Sequence, residues 1–224
     1  MSWSMSDVKK MSSYASDAYR DNPLSGELLS VGSVQCTLYD LGDRTVVAFR
    51  GTEPEEVGDL LVDVDLRKSV TPAGRVHRGF YEAYQQIEAL LLERLSDYPK
   101  VIHFTGHSMG GALPTIAAFE LKGNMLVTSG SPRVAGRNWA RKVNRQMIGR
   151  CARVVNNVDL VSRVPSAIRF THVGTHVLLT DSGAWIQPGI VTRMRNWLWC
   201  LMTGRFGRCH GMGEYLRGLT KCED

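Results

Sequence analysis

The sequence predicts an α/β fold with a mostly parallel central sheet flanked by helices. Three observations carry that prediction. Short apolar runs of strand type alternate along the 224 residues with longer segments of helical period. One run, residues 101–104, passes directly into Gly106-His107-Ser108-Met109-Gly110 and then into a small-residue helical segment, the strand–turn–helix setting of a nucleophile elbow. No repeat, linker or low-complexity stretch breaks the pattern, so one domain over residues 1–224 is expected, large enough to bury a substantial core.

Each element has its own signal. Val8, Met11, Tyr14, Ala15, Ala18 and Tyr19 recur at helical spacing and predict a helix over 4–20, stopped by Asp21-Asn22-Pro23. Residues 33–40 and 44–50 read as a hairpin around Leu41-Gly42-Asp43. The acidic stretch 53–65, EPEEVGDLLVDVD, reads as a loop or short lid. Phe80, Tyr84, Ile87, Leu91 and Leu95 build an amphipathic helix over 79–96. After the elbow strand come a helix over 109–121, a strand over 124–129 and a basic helix near 136–148. Strands follow at 151–156 and 175–180, then helices near 189–203 and 211–220. Pro114, lacking a backbone N–H, is expected to kink the second turn of the elbow helix.

Composition excludes several classes. Apolar runs are far short of a membrane span. The first 21 residues have no apolar core and no small-residue cleavage site, so no secretory leader is read there. The expectation is a chain that stays in the cytoplasm, is exported by another route, or is a mature form given a new Met1. Cys36, Cys151, Cys200, Cys209 and Cys222 are odd in number and irregularly spaced, which suits free thiols better than a disulfide framework or a zinc site. A bridge among the last three stays open. Residues 1–100 carry 11 Lys and Arg against 16 Asp and Glu, whereas residues 101–224 carry 16 against 6. Without aromatic interleaving or a nucleic-acid motif, the basic half argues for a solvated face or a weak preference for anionic interfaces, not for nucleic acid.

The elbow defines what to look for elsewhere. A serine needs a base to take its proton and a carboxylate to orient that base, and on a fold of this type the order is Ser, Asp or Glu, His. Asp159 follows the strand CARVVNN directly, at the sheet edge that delivers such side chains; Asp181, after THVLLTD, is the rival. Among the later histidines, His210 opens the last helix at a loop junction and can reach Ser108. His172 and His176 lie four apart in a strand-like stretch, where packed, hydrogen-bonded roles are expected, as for His77, His103 and His107. An oxyanion requires backbone donors. The N–H of Met109 is one, and the strand-to-loop junction VVAFRGTEP supplies Thr52 as the other.

These residues bear a resemblance. FRGT at 49–52, VHRGF at 76–80, GHSMGGAL at 106–113, SGSPRVAG at 129–136, NNVDLVSRVP at 156–165, THVG at 171–174 and HGMGEY at 210–215 occur in the order found in the class 3 lipases. The chain resembles that family over residues 45–220. The resemblance implies an α/β-hydrolase fold and hydrolysis of carboxylic esters, often acylglycerols, with Ser108, Asp159 and His210 as the triad and Thr52 and Met109 as the oxyanion hole. It also implies a structural place for His172. No cofactor or metal is implied, and the substrate is a lipid or small ester. A phospholipase or other acyl-transfer enzyme on the same scaffold, or a non-catalytic lipid-binding protein, are the alternatives.

The chain departs from the family pattern in Pro114, in the short acidic segment 53–65 where the better-known members carry a bulky amphipathic helix, and in the apolar stretch 189–206. There Ile190, Val191, Met194, Trp197, Leu198, Leu201 and Met202 share one helical face. A core helix beside the site is the first expectation. A surface element that binds transiently at a lipid–water interface is the second, favoured by Trp199 off the main apolar face.

Overall fold

The computed structural model describes residues 2–51, 66–98, 100–204 and 209–222. Helix α1 (Met5–Asp17) begins where Ser4 and Asp7 form a capping box. The Asp7 N–H donates to Ser4 Oγ at 3.1 Å and the Ser4 N–H to Asp7 Oδ2 at 2.9 Å. Three antiparallel strands follow, β1 (Glu27–Val31), β2 (Val34–Asp40) and β3 (Thr45–Phe49). The β2–β3 hairpin falls where the sequence places it. Strand β1 has no counterpart in the sequence reading, because only Leu29 of its five residues is buried and no alternation marks it. A separate hairpin, β4 (Lys68–Thr71) and β5 (Gly74–His77), was likewise not legible. The expected loop or lid at 53–65 lies outside the described residues.

Beyond it come α2 (Arg78–Leu95), β6 (Ile102–His107), a 3₁₀ turn (Ser108–Gly111), α3 (Ala112–Glu120), β7 (Met125–Ser129), α4 (Arg137–Gln146) and β8 (Cys151–Asn156). The chain continues with β9 (Thr175–Thr180), β10 (Gly183–Ile186), α5 (Ile190–Met202) and α6 (Met212–Thr220). The anticipated kink at Pro114 is corrected by this division. The α-helix proper starts at Ala112, so Pro114 lies in its first turn, where a backbone N–H has no helical partner to lose.

The main sheet has the order β1-β2-β3-β6-β7-β8-β9-β10, with β3, β6, β7, β8 and β9 parallel and the outer strands antiparallel. Alternation along β3 sends Val47 and Phe49 to one face and Val46 and Ala48 to the other. The first face packs against α2, α3 and α4 through Ile87, Leu91, Ile116 and Trp139. The second packs against α1 and α6 through Val8, Met11, Tyr215 and Leu219. A sheet covered on both sides brings the C-terminal ends of its parallel strands to one edge, where ligands of α/β proteins sit.

Helix α5 corrects the first expectation for its segment. Only Asn196 and Cys200 are buried along it, while Ile190, Val191, Met194, Leu198, Leu201 and Met202 are all exposed. It is therefore not a core helix, and its apolar side faces outward. No described helix is long and apolar enough to cross a membrane. All five cysteines are buried and none forms a disulfide.

Candidate active site

Three chain segments meet at the C-terminal edge of the sheet. Strand β6 ends at His107, and Ser108 takes a left-handed backbone conformation with φ +58° before the 3₁₀ turn. The turn is tight enough to need glycine on both sides. A Cβ on Gly106 would lie 1.7 Å from the Gly110 carbonyl oxygen, and one on Gly110 would lie 2.6 Å from the Arg50 backbone. A left-handed serine costs about 1–2 kcal/mol, which the surrounding contacts must hold in place.

Strand β8 ends at Asn156, and its loop carries Asp159, fully buried. The Asp159 N–H donates to the Asn156 carbonyl at 3.1 Å, and Asp159 Oδ1 accepts the Val161 N–H at 2.9 Å. Asn156 Nδ2 in turn donates to the Cys209 carbonyl at 3.1 Å, tying the Asp159 loop to the residue before His210.

His210 bridges the other two. Its Nδ1 lies 2.8 Å from Asp159 Oδ2 and its Nε2 lies 2.8 Å from Ser108 Oγ. A carboxylate oxygen only accepts, so Nδ1 carries the proton and Nε2 presents its lone pair to the serine hydroxyl, the tautomer a general base requires. The structure thus brings together Ser108, Asp159 and His210.

Two further residues complete the constellation: Tyr215, to which the sequence reading gave no role, and His107, which is packed and hydrogen-bonded as expected. The Tyr215 hydroxyl donates to Asp159 Oδ2 at 2.5 Å. Burial and the neighbouring Asp159 charge push its phenol well above the usual range, so it remains a donor. His107 lies under His210, with ring centroids 4.7 Å apart and planes at 29°. Its Nε2 is 2.7 Å from the His210 carbonyl, which only accepts, so Nε2 carries the proton and Nδ1 takes a hydrogen bond from the Tyr19 hydroxyl at 2.8 Å. Burial, then the proximity of His210, pushes His107 down to about 3, so it is neutral. Tyr19 lies just past α1; the signal that could have found it is that the helix runs toward the elbow.

The rival acids and bases sit elsewhere. Asp181 Oδ2 accepts from Trp199 Nε1 at 2.9 Å, which fastens α5 to the β9–β10 turn. His172 donates from Nε2 to the Ser162 carbonyl at 2.7 Å, and His77 caps α2. Met109 is the second residue of the 3₁₀ turn, beside the serine. Thr52 lies outside the described residues. Among the described residues no group of three His, Cys, Asp or Glu side chains gathers as a metal site.

The family model for lipase (class 3) matches residues 46–168, more than half of the chain. The chain belongs to the class 3 lipases. The match spans Ser108 and Asp159, and His210 lies beyond it. A secreted mono- and diacylglycerol lipase of Malassezia restricta is 26% identical over 174 residues, covering 68% of this chain and 52% of that protein. A lipase of Rhizomucor miehei is 32% identical over 123 residues, covering 48% and 34%. A chloroplastic phospholipase A(1) of Arabidopsis thaliana is 31% identical over 108 residues, covering 44% and 24%. The chain spans about half the length of the Malassezia relatives. Among solved structures, the Rhizomucor miehei triacylglyceride lipase superposes with a TM-score of 0.66 at 22% identity, covering 81% of this chain and 83% of that one. A fungal lipase described for its unusual buried polar cluster superposes with a TM-score of 0.70 at 18% identity, covering 83% and 86%. At these identities the likeness is one of fold, and that fold is the α/β-hydrolase of the family's expected architecture.

Proposed function

We propose that this chain is a serine ester hydrolase that cleaves acylglycerols or related fatty-acid esters through an acyl-enzyme. The observation that carries the reading is the continuous path from Ser108 Oγ through His210 to Asp159, with both links at 2.8 Å and the imidazole in the tautomer that accepts a proton. In the first step Ser108 Oγ attacks the ester carbonyl while His210 Nε2 takes the hydroxyl proton. Asp159 stabilises the imidazolium, and the N–H groups of Met109 and Thr52 receive the oxyanion. The tetrahedral adduct collapses as His210 protonates the leaving alcohol. Water, deprotonated by the same imidazole, then attacks the acyl-serine, and the fatty acid leaves. No step calls for a metal or cofactor. Residues 1–224 act as one catalytic domain in this reading.

The exposed apolar side of α5 supports a second element, transient binding at a lipid–water interface. Exposed Leu, Met and Trp on a helix interspersed with Arg193 and Arg195 suit the headgroup boundary. Similarity to the Arabidopsis phospholipase A(1) favours phospholipids as the alternative substrate class.

A panel of esters tests the reading, with monoacyl-, diacyl- and triacylglycerols of several chain lengths, phospholipids, and a thioester, each run against Ser108→Ala. Hydrolysis of a glyceride, lost in the variant, supports an acylglycerol lipase. Preference for phospholipid moves the substrate class. Vesicle binding with no turnover of any ester would leave only a lipid-binding protein and defeat the proposal.

A further inference from the structure

One cavity away from the triad is lined by four arginines and two histidines. It has a volume of about 240 Å³ and lies over strands β8 and β9, beneath α5, and no triad residue lines it. Arg153 of β8 and His176 of β9 are cross-strand neighbours that point into it from the sheet. Arg133, Arg163 and His172 close it from the loops, and Arg193 comes down from α5.

Among the described residues nothing balances that charge. Among the described residues no carboxylate lines the cavity, and no ion pair involves any of its four arginines. Arg153 Nε and His176 Nε2 are buried without a hydrogen-bond partner. Arg133 is held in place by the carbonyls of Arg163 and Pro165, so its cation is fixed at the wall. Arg153 is half-buried with its Nε turned inward, and leaving a buried polar atom of a cation without a partner is costly, so such an atom in a native structure calls for one. Burial and the surrounding arginines push His176 down to about 3 and His172 well below its ordinary range, so both imidazoles are neutral. Burial brings Arg153 only to about 10, and it stays charged at neutral pH.

We infer that this cavity is a binding site for a phosphate-type oxyanion, seated between the guanidinium groups of Arg153, Arg133, Arg163 and Arg193. The planar fork of arginine matches phosphate oxygens in pairs, and a multiply charged anion offsets several cations at once where a single carboxylate offsets one. Neutral His172 and His176 add hydrogen-bonding capacity without adding charge. Two sources present this chemistry, the headgroup of an acidic phospholipid and free phosphate. Arg193 stands on the same helix whose apolar side chains face outward, so a headgroup taken from a membrane would lie directly below the docking surface.

The site is independent of the esterase reading, since Ser108→Ala should bind the anion as the wild type does. Inorganic phosphate, compared with chloride at equal ionic strength, should raise the unfolding midpoint of the full chain by about 3–6 °C at ten times its dissociation constant. Arg193→Gln changes an exposed helix position and should fold normally. It and Arg153→Gln should each weaken phosphate binding at least about tenfold by calorimetry, as expected for loss of a charge-assisted contact. Arg141→Gln, basic but outside the cavity, serves as the charge control. Vesicles of phosphatidylcholine with and without phosphatidic acid identify the source. If Arg153→Gln and Arg193→Gln lose both phosphate and the preference for acidic vesicles, the ligand is a headgroup. If they lose phosphate alone, it is the free anion. An absent phosphate response, or an equal loss in Arg141→Gln, overturns the site.

Discussion

Asp159 Oδ2 accepts two hydrogen bonds, from His210 Nδ1 at 2.8 Å and from the Tyr215 hydroxyl at 2.5 Å. Tyr215 thus holds the carboxylate that, in the proposed mechanism, orients the base. A hydrogen bond to a charged group contributes about 1.5–3 kcal/mol, and ~1.4 kcal/mol of it expressed in the transition state is tenfold in rate. Tyr215→Phe is expected to lower kcat about tenfold with little change in KM, against about 10⁴ for Asp159→Asn. Steady-state kinetics on a soluble ester measures both, and a Tyr215→Phe enzyme as fast as wild type would remove the tyrosine from the account.

Gly130 lies where Asp159, Tyr215 and His210 converge. Its φ is +62°, and a Cβ there would lie 2.8 Å from Asp159 Oδ2, 3.1 Å from the Tyr215 hydroxyl and 3.2 Å from His210 Cε1. Gly130→Ala should therefore damage catalysis beyond its effect on folding. The left-handed alanine costs about 1–2 kcal/mol, a drop of about 2–8 °C in Tm, whereas displacement of the triad costs about 10² in kcat/KM. Thermal unfolding and kinetics on the same sample separate the two effects.

His107 gives the fold a pH dependence of predictable sign. Its folded pKa, about 3, is below the ordinary histidine value, so between about pH 6.5 and 3 the unfolded chain binds a proton that the native state does not. Stability is then fully present above pH 6.5 and falls with acidification at up to about 1.4 kcal/mol per pH unit from this residue. Urea unfolding at pH 7, 6 and 5 should show a shallower fall in His107→Gln than in wild type. Parallel curves would mean that the imidazole is not held neutral.

The outward side of α5 makes a claim about substrate presentation. Trp197→Ala should slow hydrolysis of a long-chain emulsion severalfold while leaving a short soluble ester nearly untouched, because only the first substrate requires docking. Equal effects on the two substrates would refute interfacial docking. Trp199→Phe probes a different role, since its indole binds Asp181 Oδ2 at 2.9 Å. Losing that bond should destabilise the chain by about 0.5–1.5 kcal/mol.

The site was more legible than its surroundings. Ser108, Asp159 and His210 could be proposed because the chemistry dictates chain order and strand-end positions and few acids and histidines follow residue 108, and the structure places the three within hydrogen-bond reach. Tyr19 and Tyr215 were not, since their roles arise only when α1 and α6 pack on the same face of the sheet. Strands β1, β4, β5 and β10 escaped notice because short, partly exposed strands bury too few side chains to imprint alternation. Helix α5 shows a further limit. Spacing revealed its apolar face, but which side turns inward depends on the fit of Asn196 and Cys200, which no periodicity displays.

Ser108 is proposed to be a nucleophile poised by His210. Incubation of the full chain with a serine-directed alkylphosphonate ester, followed by intact-mass and peptide mass spectrometry, tests it most directly. The wild-type chain should carry a single stoichiometric adduct on Ser108, Ser108→Ala should carry none, and labelling should slow by orders of magnitude in His210→Ala. An unmodified wild-type chain, or an adduct that persists in Ser108→Ala, would contradict it.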